Sequence, residues 1–201
     1  MFLTISGLQS LTSFAFPSIL PQLHQAIVTA NEVVHCRECP KRADTAFQNV
    51  TLVNSLLSSI GERFQRLLES IEIEAARAEQ EGITKEFRLG DVSIPPHEHT
   101  GTPDCPGNFS VQLEAQEWRR LAKKTVKAEV MGNGTGRTNL VGVLDAMEAR
   151  QKRWHIDPEM DKMRISLMSG HSQGSHHMKD EELCLKFLGA VRLMISRMVW
   201  D

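Results

Sequence analysis

The side chains of this chain that could do chemistry fall into short clusters. "HCRECP", residues 35–40, sets Cys36 and Cys39 three apart with His35 beside them, the spacing of half a zinc site or of a redox pair. A structural zinc usually draws its ligands from two such pairs, and the remaining cysteines, Cys105 and Cys184, are solitary. A thioredoxin-type dithiol needs a βαβ setting with its first cysteine at a helix start, and the surrounding pattern offers none. The pair is therefore expected to fill the corner of a turn between two helices, where small polarisable side chains pack well. Neither a metal nor a cofactor is expected.

Histidines supply the other candidates. In "PPHEHT", residues 95–100, His97 and His99 flank Glu98, and an extended backbone would turn both rings to one side. No third ligand stands at an identifiable spacing, so a surface loop is the simpler expectation. His171, His176 and His177 lie among serines and glycines in "SGHSQGSHHMKD", without a nucleophile elbow beside Ser172 or Ser175 and with only Asp180 to orient a base. "GNGTG" at 132–136 lacks the Lys-Ser/Thr ending of a phosphate loop and follows a helical pattern, so it is expected to be a turn. Glu69, Glu72 and Glu74 lie on a helix without the aspartate-rich run of a metal-dependent cyclase, as a solvated face would. Were the chain an enzyme, its pocket would draw polarity from His97, His99 and His155 as catalytic candidates, and shape from Trp118 and Trp154 as ligand-binding ones.

The elements that must position these residues are helical. From Pro21, apolar residues recur at three and four through Val34, as in a helix with proline in its first turn. Asp44 is placed to cap a much longer helix, whose stripe runs Phe47, Val50, Val53, Leu57, Ile60, Phe64, Leu67, Leu68, Ile71, Ala75 and Ala78 before Gly82 ends it. Residues 83–110 carry prolines and glycines without a period, an irregular connection with no strand expected. Helical spacing returns over Val111–Val130 and Asn139–His155, expected to pair as a hairpin. It returns again over about 180–199, where Leu183, Phe187, Ala190, Val191, Met194, Ile195 and Met198 are expected to be buried. The expectation is an all-α domain, residues 21–201, of about five or six helices with one long central amphipathic helix and two long loops. A flexible arm, residues 1–20, precedes it.

Composition narrows the function classes. Apolar residues make up 41% and charged residues 24% of 201 residues, ordinary globular usage. A formal net charge of -2 argues against a chain devoted to a polyphosphate backbone, and the basic run Trp118–Lys124 reads as a solvated helix face. The opening residues are broken by Ser, Thr, Gly and Pro, so neither a membrane span nor a secretory leader is expected, and the cysteine spacing suits an intracellular compartment.

One family pattern is present. "CRECPKRADTAFQNVTLVNSLLSSIGERFQRLLESIEIEAARAEQEGITKEFRLGD" resembles the region downstream of the finger in fungal binuclear-zinc-cluster transcription factors, those like the aflatoxin regulator. The residues carrying the resemblance are Cys39, Gln48, Asn49, Leu56, Leu57, Glu62, Arg63 and Phe64, with "AKKTVKAEV" and "LDAMEARQKRWH" similar to later helices of that region. The family's finger holds two zinc ions with six cysteines, whereas this chain has four cysteines, none so arranged. The resemblance implies a regulatory module of secondary-metabolism control, working through a protein partner or a sensed lipophilic small molecule, without direct DNA binding and in the nucleus. Two alternatives remain from the residues themselves: a cofactor-independent cytoplasmic cyclase, pericyclase or isomerase acting on a lipophilic intermediate in an apolar pocket, and a homodimer built on the long helix.

Overall fold

A computed structural model describes residues 1–38, 43–88, 110–134, 136–159, 162 and 180–201. Among these the order is α1 (Phe2–Gln9), α2 (Leu20–His35), α3 (Ala43–Glu81), β1 (Lys85–Arg88), β2 (Ser110–Leu113), α4 (Ala115–Met131), α5 (Leu140–Ile156) and α6 (Asp180–Ser196). The six helices and one dominant long helix match the all-α expectation.

The 39-residue α3 is the axis of the fold. Its side chains from Val50 through Ile60, Phe64 and Leu67 to Ala78 recur at three and four residues and are buried. The other helices all touch α3: α2, α4, α6 and α1 along its length, and α5 more lightly. Each brings its own apolar stripe to one continuous core. α3 stops where glycine allows it. Gly82 has φ +64°, Gly82 N–H donates to Glu79 O, and Ile83 N–H reaches back to Ala78 O at 3.0 Å, closing the last turn. The helix starts at Ala43, two residues before the start that Asp44 as a cap implies, which puts Asp44 inside the first turn.

Other boundaries follow local chemistry. Pro21 lies in the first turn of α2, where its missing N–H costs nothing. At the far end of α2, Arg150 from α5 donates to Val33 O (2.9 Å) and Val34 O (3.2 Å), satisfying carbonyls that a helix end leaves open. Asn139 caps α5, its Oδ1 accepting from Gly142 N–H at 2.9 Å. α4 and α5 touch as expected, yet α4 packs mainly on α3 and α5 mainly on α2 and α6. Residues 1–20, expected to form an arm, place Leu8, Ile19 and Leu20 in the core. Arg63 holds this segment by donating to Leu8 O at 2.8 Å, with Arg63 and Arg66 over the Phe14 ring.

Two expectations are corrected. A short antiparallel pair, Lys85 opposite Leu113 through Arg88 opposite Ser110, stands where no strand was expected, and α4 consequently begins at Ala115 rather than Val111. Four-residue strands are too short to show alternation in sequence, and a two-stranded ribbon is marginal alone. Phe87 anchors this one by stacking on Phe16 (6.0 Å between centroids), which meets Trp118 edge-on. On α6 the core takes Leu188, Val191, Ile195 and Met198, whereas Phe187 and Ala190, expected inside, are exposed. The apolar surface of α6 is wider than one packing contact on α3 covers.

Candidate functional site

Among the described residues, those singled out by chemistry stand apart from one another. Cys36 is half-buried where α2 ends. Cys39, His97, His99, Cys105, His171, His176 and His177 lie outside the described residues, as does the His155 side chain at the end of α5. Trp118 is buried on α4 beneath Phe16, with Lys85 Nζ 5.3 Å from its ring centre. Trp154 packs against the core from α5, and its indole Nε1–H is buried without a hydrogen-bond partner among the described residues. Glycines 132, 134 and 136 all take positive φ, and with Asn31 and Val143 they border an open, polar hollow of about 590 Å³.

The feature best suited to engage another molecule lies between α3 and α6. A cleft of about 530 Å³ has Leu68, Met194 and Met198 on its inner side, and Leu193 and Val199 toward solvent. Gly61 lets α6 come close just before the cleft opens, because a Cβ there would lie 3.2 Å from Met194 Sδ. On the α3 side Gln65, Glu69 and Glu72 form a polar border, and Arg197 stands on the other. Gln65 donates to Glu69 at 3.2 Å. Glu69 has no cationic partner, and Arg197 no acidic one, among the described residues.

Glu72 belongs to a polar lock at one end of the cleft. Lys123 of α4, with only 1% of its side chain exposed, donates to Glu72 Oε1 at 2.6 Å and to the main-chain oxygen of Asp201. Arg119 reaches the same two groups, at 3.5 Å to Glu72 and 3.0 Å to Asp201 O. The lock ties α3, α4 and the last residues together. Farther along α6, Arg192 clasps α5 through Asp145 (2.6 Å) and Glu148 (2.9 Å). A hydrogen bond from Lys152 holds the Glu148 carboxyl below its usual range against the opposing effect of burial, and Arg192 adds to the lowering. Glu74 is lowered in the same way, first by Lys85 and then by Arg77. None of these pairs places an acid and a base around a common substrate position. Aliphatic exposure, rather than any motif, marks this site; its only trace in sequence is the excess width of the α6 stripe.

Comparison with known proteins gives a consistent picture. The chain is 24% identical over 208 aligned positions to the transcription factor rglT of Aspergillus fumigatus, covering 98% of this chain and 46% of that protein. It is 26% identical over 211 positions to the transcription factor rglT of Emericella nidulans, covering 98% of this chain and 45% of that protein. The chain is thus distantly related to a fungal transcription factor along nearly its whole length, and spans about half the length of these curated relatives. No family profile matches it, and no solved structure does. Among the described residues no helix is long and apolar enough to cross a membrane.

Proposed function

We propose that this chain is a regulatory, protein-contacting module of fungal transcription control, of the kind that accompanies a binuclear-zinc-cluster finger in regulators of secondary metabolism, and that it works in the nucleus. The observation that carries this reading is the alignment with a transcription factor over 98% of the chain. Base reading is not assigned to these 201 residues, because their four cysteines do not make the six-cysteine finger. What the described residues offer is a helical body with apolar side chains such as Leu193 and Val199 exposed beside a cleft, which suits recognition of another folded surface.

The test is chromatin crosslinking of the tagged chain in a filamentous fungus, with the nuclear fraction measured in parallel. The chain is expected in the nucleus and at promoters through its partners, while the purified chain leaves promoter DNA unshifted in a gel. A chain confined to the cytosol and absent from chromatin would overturn the proposal. A second reading, a lipophilic metabolite seated between α3 and α6, draws on the cleft volume, which falls within the few-hundred-Å³ range of small-molecule pockets. Native mass spectrometry after exposure to a lipophilic extract tests it: a one-to-one adduct supports a ligand sensor, and an adduct of changed mass supports the cyclase or isomerase alternative.

A further inference from the structure

Asn54 Oδ1, Gln151 Oε1 and Trp154 Nε1 are buried without a hydrogen-bond partner among the described residues, and the helix registers bring them to one end of the bundle. Gly61 of α3 lies against Val191 and Met194 of α6, and Lys123 holds both Glu72 and Asp201, so α6 runs parallel to α3. Arg192, level with Gly61, clasps Asp145 and Glu148 of α5. Arg150 meets the carbonyls at the end of α2, from which residues 36–42 lead into α3, so α5 runs back toward the start of α3. At about 1.5 Å per residue, Asn54 lies about 10 Å from Gly61 toward that end, and Trp154 about 9–13 Å beyond the Arg192 clasp. Asn54 stands two turns before Gly61 on the face of α3 that meets α6, and Gln151 and Trp154 follow Met147 by one and two turns on the buried stripe of α5. Asn54 is 7% and Gln151 1% exposed. A fourth such atom, Arg119 Nε, stands apart in the polar lock, where the other guanidinium nitrogens already meet Glu72 and Asp201.

We infer that Asn54, Gln151 and Trp154 bind one water molecule buried between α3 and α5. Hydrogen-bond arithmetic selects it. The two amide oxygens need two donated hydrogens and the indole N–H needs one lone pair; water supplies all three, the usual complement of a buried water. A hydroxyl would bring one hydrogen and leave an amide unanswered, and an ion would meet only uncharged groups. Turning either amide over exchanges an orphan acceptor for an orphan donor, and Gln151 Nε2 reaches nothing better than Met147 Sδ at 3.8 Å. An unanswered buried group costs roughly 5-fold or more in the folding equilibrium, and three would compound, so the water belongs to the fold. Of the helices packed on α3, α5 touches it most lightly, and the water gives the two a polar tie. The inference goes beyond the regulatory reading and stands whether or not the chain reaches chromatin.

Water-selective NMR of the purified chain tests it. The Trp154 indole proton, assigned by its loss in Trp154→Phe, is expected to show a rotating-frame NOE to water with the sign of dipolar contact rather than of exchange. The wild-type spectrum gives this answer even where a variant folds poorly. Gln151→Met and Asn54→Leu add a second readout, since each keeps a similar volume while removing an acceptor. Each is expected to lower Tm by about 2 °C or more and to weaken the water peak. The double variant should lose less than the sum, because the second substitution removes a bond to a water already released. An indole proton without dipolar contact to water overturns the inference. So does a Gln151→Met chain more stable than wild type, the result for an oxygen that stands alone. A copurified molecule, seen by native mass spectrometry, that replaces the water peak overturns it as well.

Discussion

Removing the half-exposed member of the polar lock is expected to cost more stability than removing the buried one. Lys123 is 1% exposed at its side chain, and its ammonium is answered by Glu72 at 2.6 Å and by the Asp201 oxygen; Glu72 itself is 44% exposed. Lys123→Met keeps the stem that packs among the helices, deletes two charge-assisted bonds worth roughly 1.5–3 kcal/mol each, and removes the several-kcal/mol desolvation of a buried ammonium. The released Glu72 carboxylate meets water and keeps Arg119, so the net loss is about 1 kcal/mol or less. Glu72→Ala leaves the buried ammonium with a single acceptor, which costs about 2–3 kcal/mol, toward the low end for a broken buried pair because Asp201 remains. For a chain of this size about 1 kcal/mol corresponds to roughly 2–4 °C in Tm. Scanning calorimetry at neutral pH should therefore place Glu72→Ala about 5–10 °C below wild type and Lys123→Met within about 4 °C of it. A Lys123→Met loss equal to or greater than that of Glu72→Ala would mean that the bonds outweigh the desolvation they offset, the opposite of what is expected.

Three further outcomes are expected. Arg150→Ala withdraws the donor from two carbonyls at the end of α2 and should cost about 2–3 kcal/mol in urea unfolding, with Arg150→Lys recovering part of it because one donor still reaches. Trp118→Ala should cost about 3–5 kcal/mol and expose Phe87 and the strand pair to faster hydrogen exchange, whereas Trp118→Phe keeps the ring contact with Phe16 and costs less. The carboxyls of Glu74 and Glu148 lie below their ordinary range in the folded chain, so the unfolded chain binds their protons more readily. Their contribution is complete above the unfolded carboxylate pKa of about 4.3 and is lost as pH falls through the lower folded values, so Tm should hold steady near neutrality and decline below about pH 4.5. Glu148→Gln should flatten part of that decline, and an unchanged slope would contradict the assignment.

The long helix was legible because nothing local competes with it: from Val50 to Ala78 the apolar residues keep one period, and Gly82 supplies the only cheap route into positive φ. The start of α5 was legible from its helical spacing, and the structure adds that Asn139 caps it by accepting from Gly142 N–H. The strand pair was not, because Phe87 is held by Phe16, some 70 residues earlier, and no window of sequence contains both. The apolar wall of the α3–α6 cleft offers no chemistry-bearing residue type as a signal. Trp118 is consumed by packing, while the cleft is built from Leu193, Met194, Val199 and Leu68, residues that look like core in any periodic pattern. The pattern counts the apolar residues on α6 and is silent on how many of them one neighbour covers, so Phe187, on the apolar stripe, stands in solvent.

The role proposed for this helical body is in transcription control, through contacts with other proteins. The most direct measurement tethers the chain to a heterologous DNA-binding domain and reads a reporter in a fungal host, beside a Leu193→Asp, Val199→Asp variant of equal abundance. The tethered chain is expected to change reporter transcription, and the variant, with its cleft border made anionic, to lose most of the change. A nuclear, abundant fusion that leaves the reporter at its basal level would contradict it.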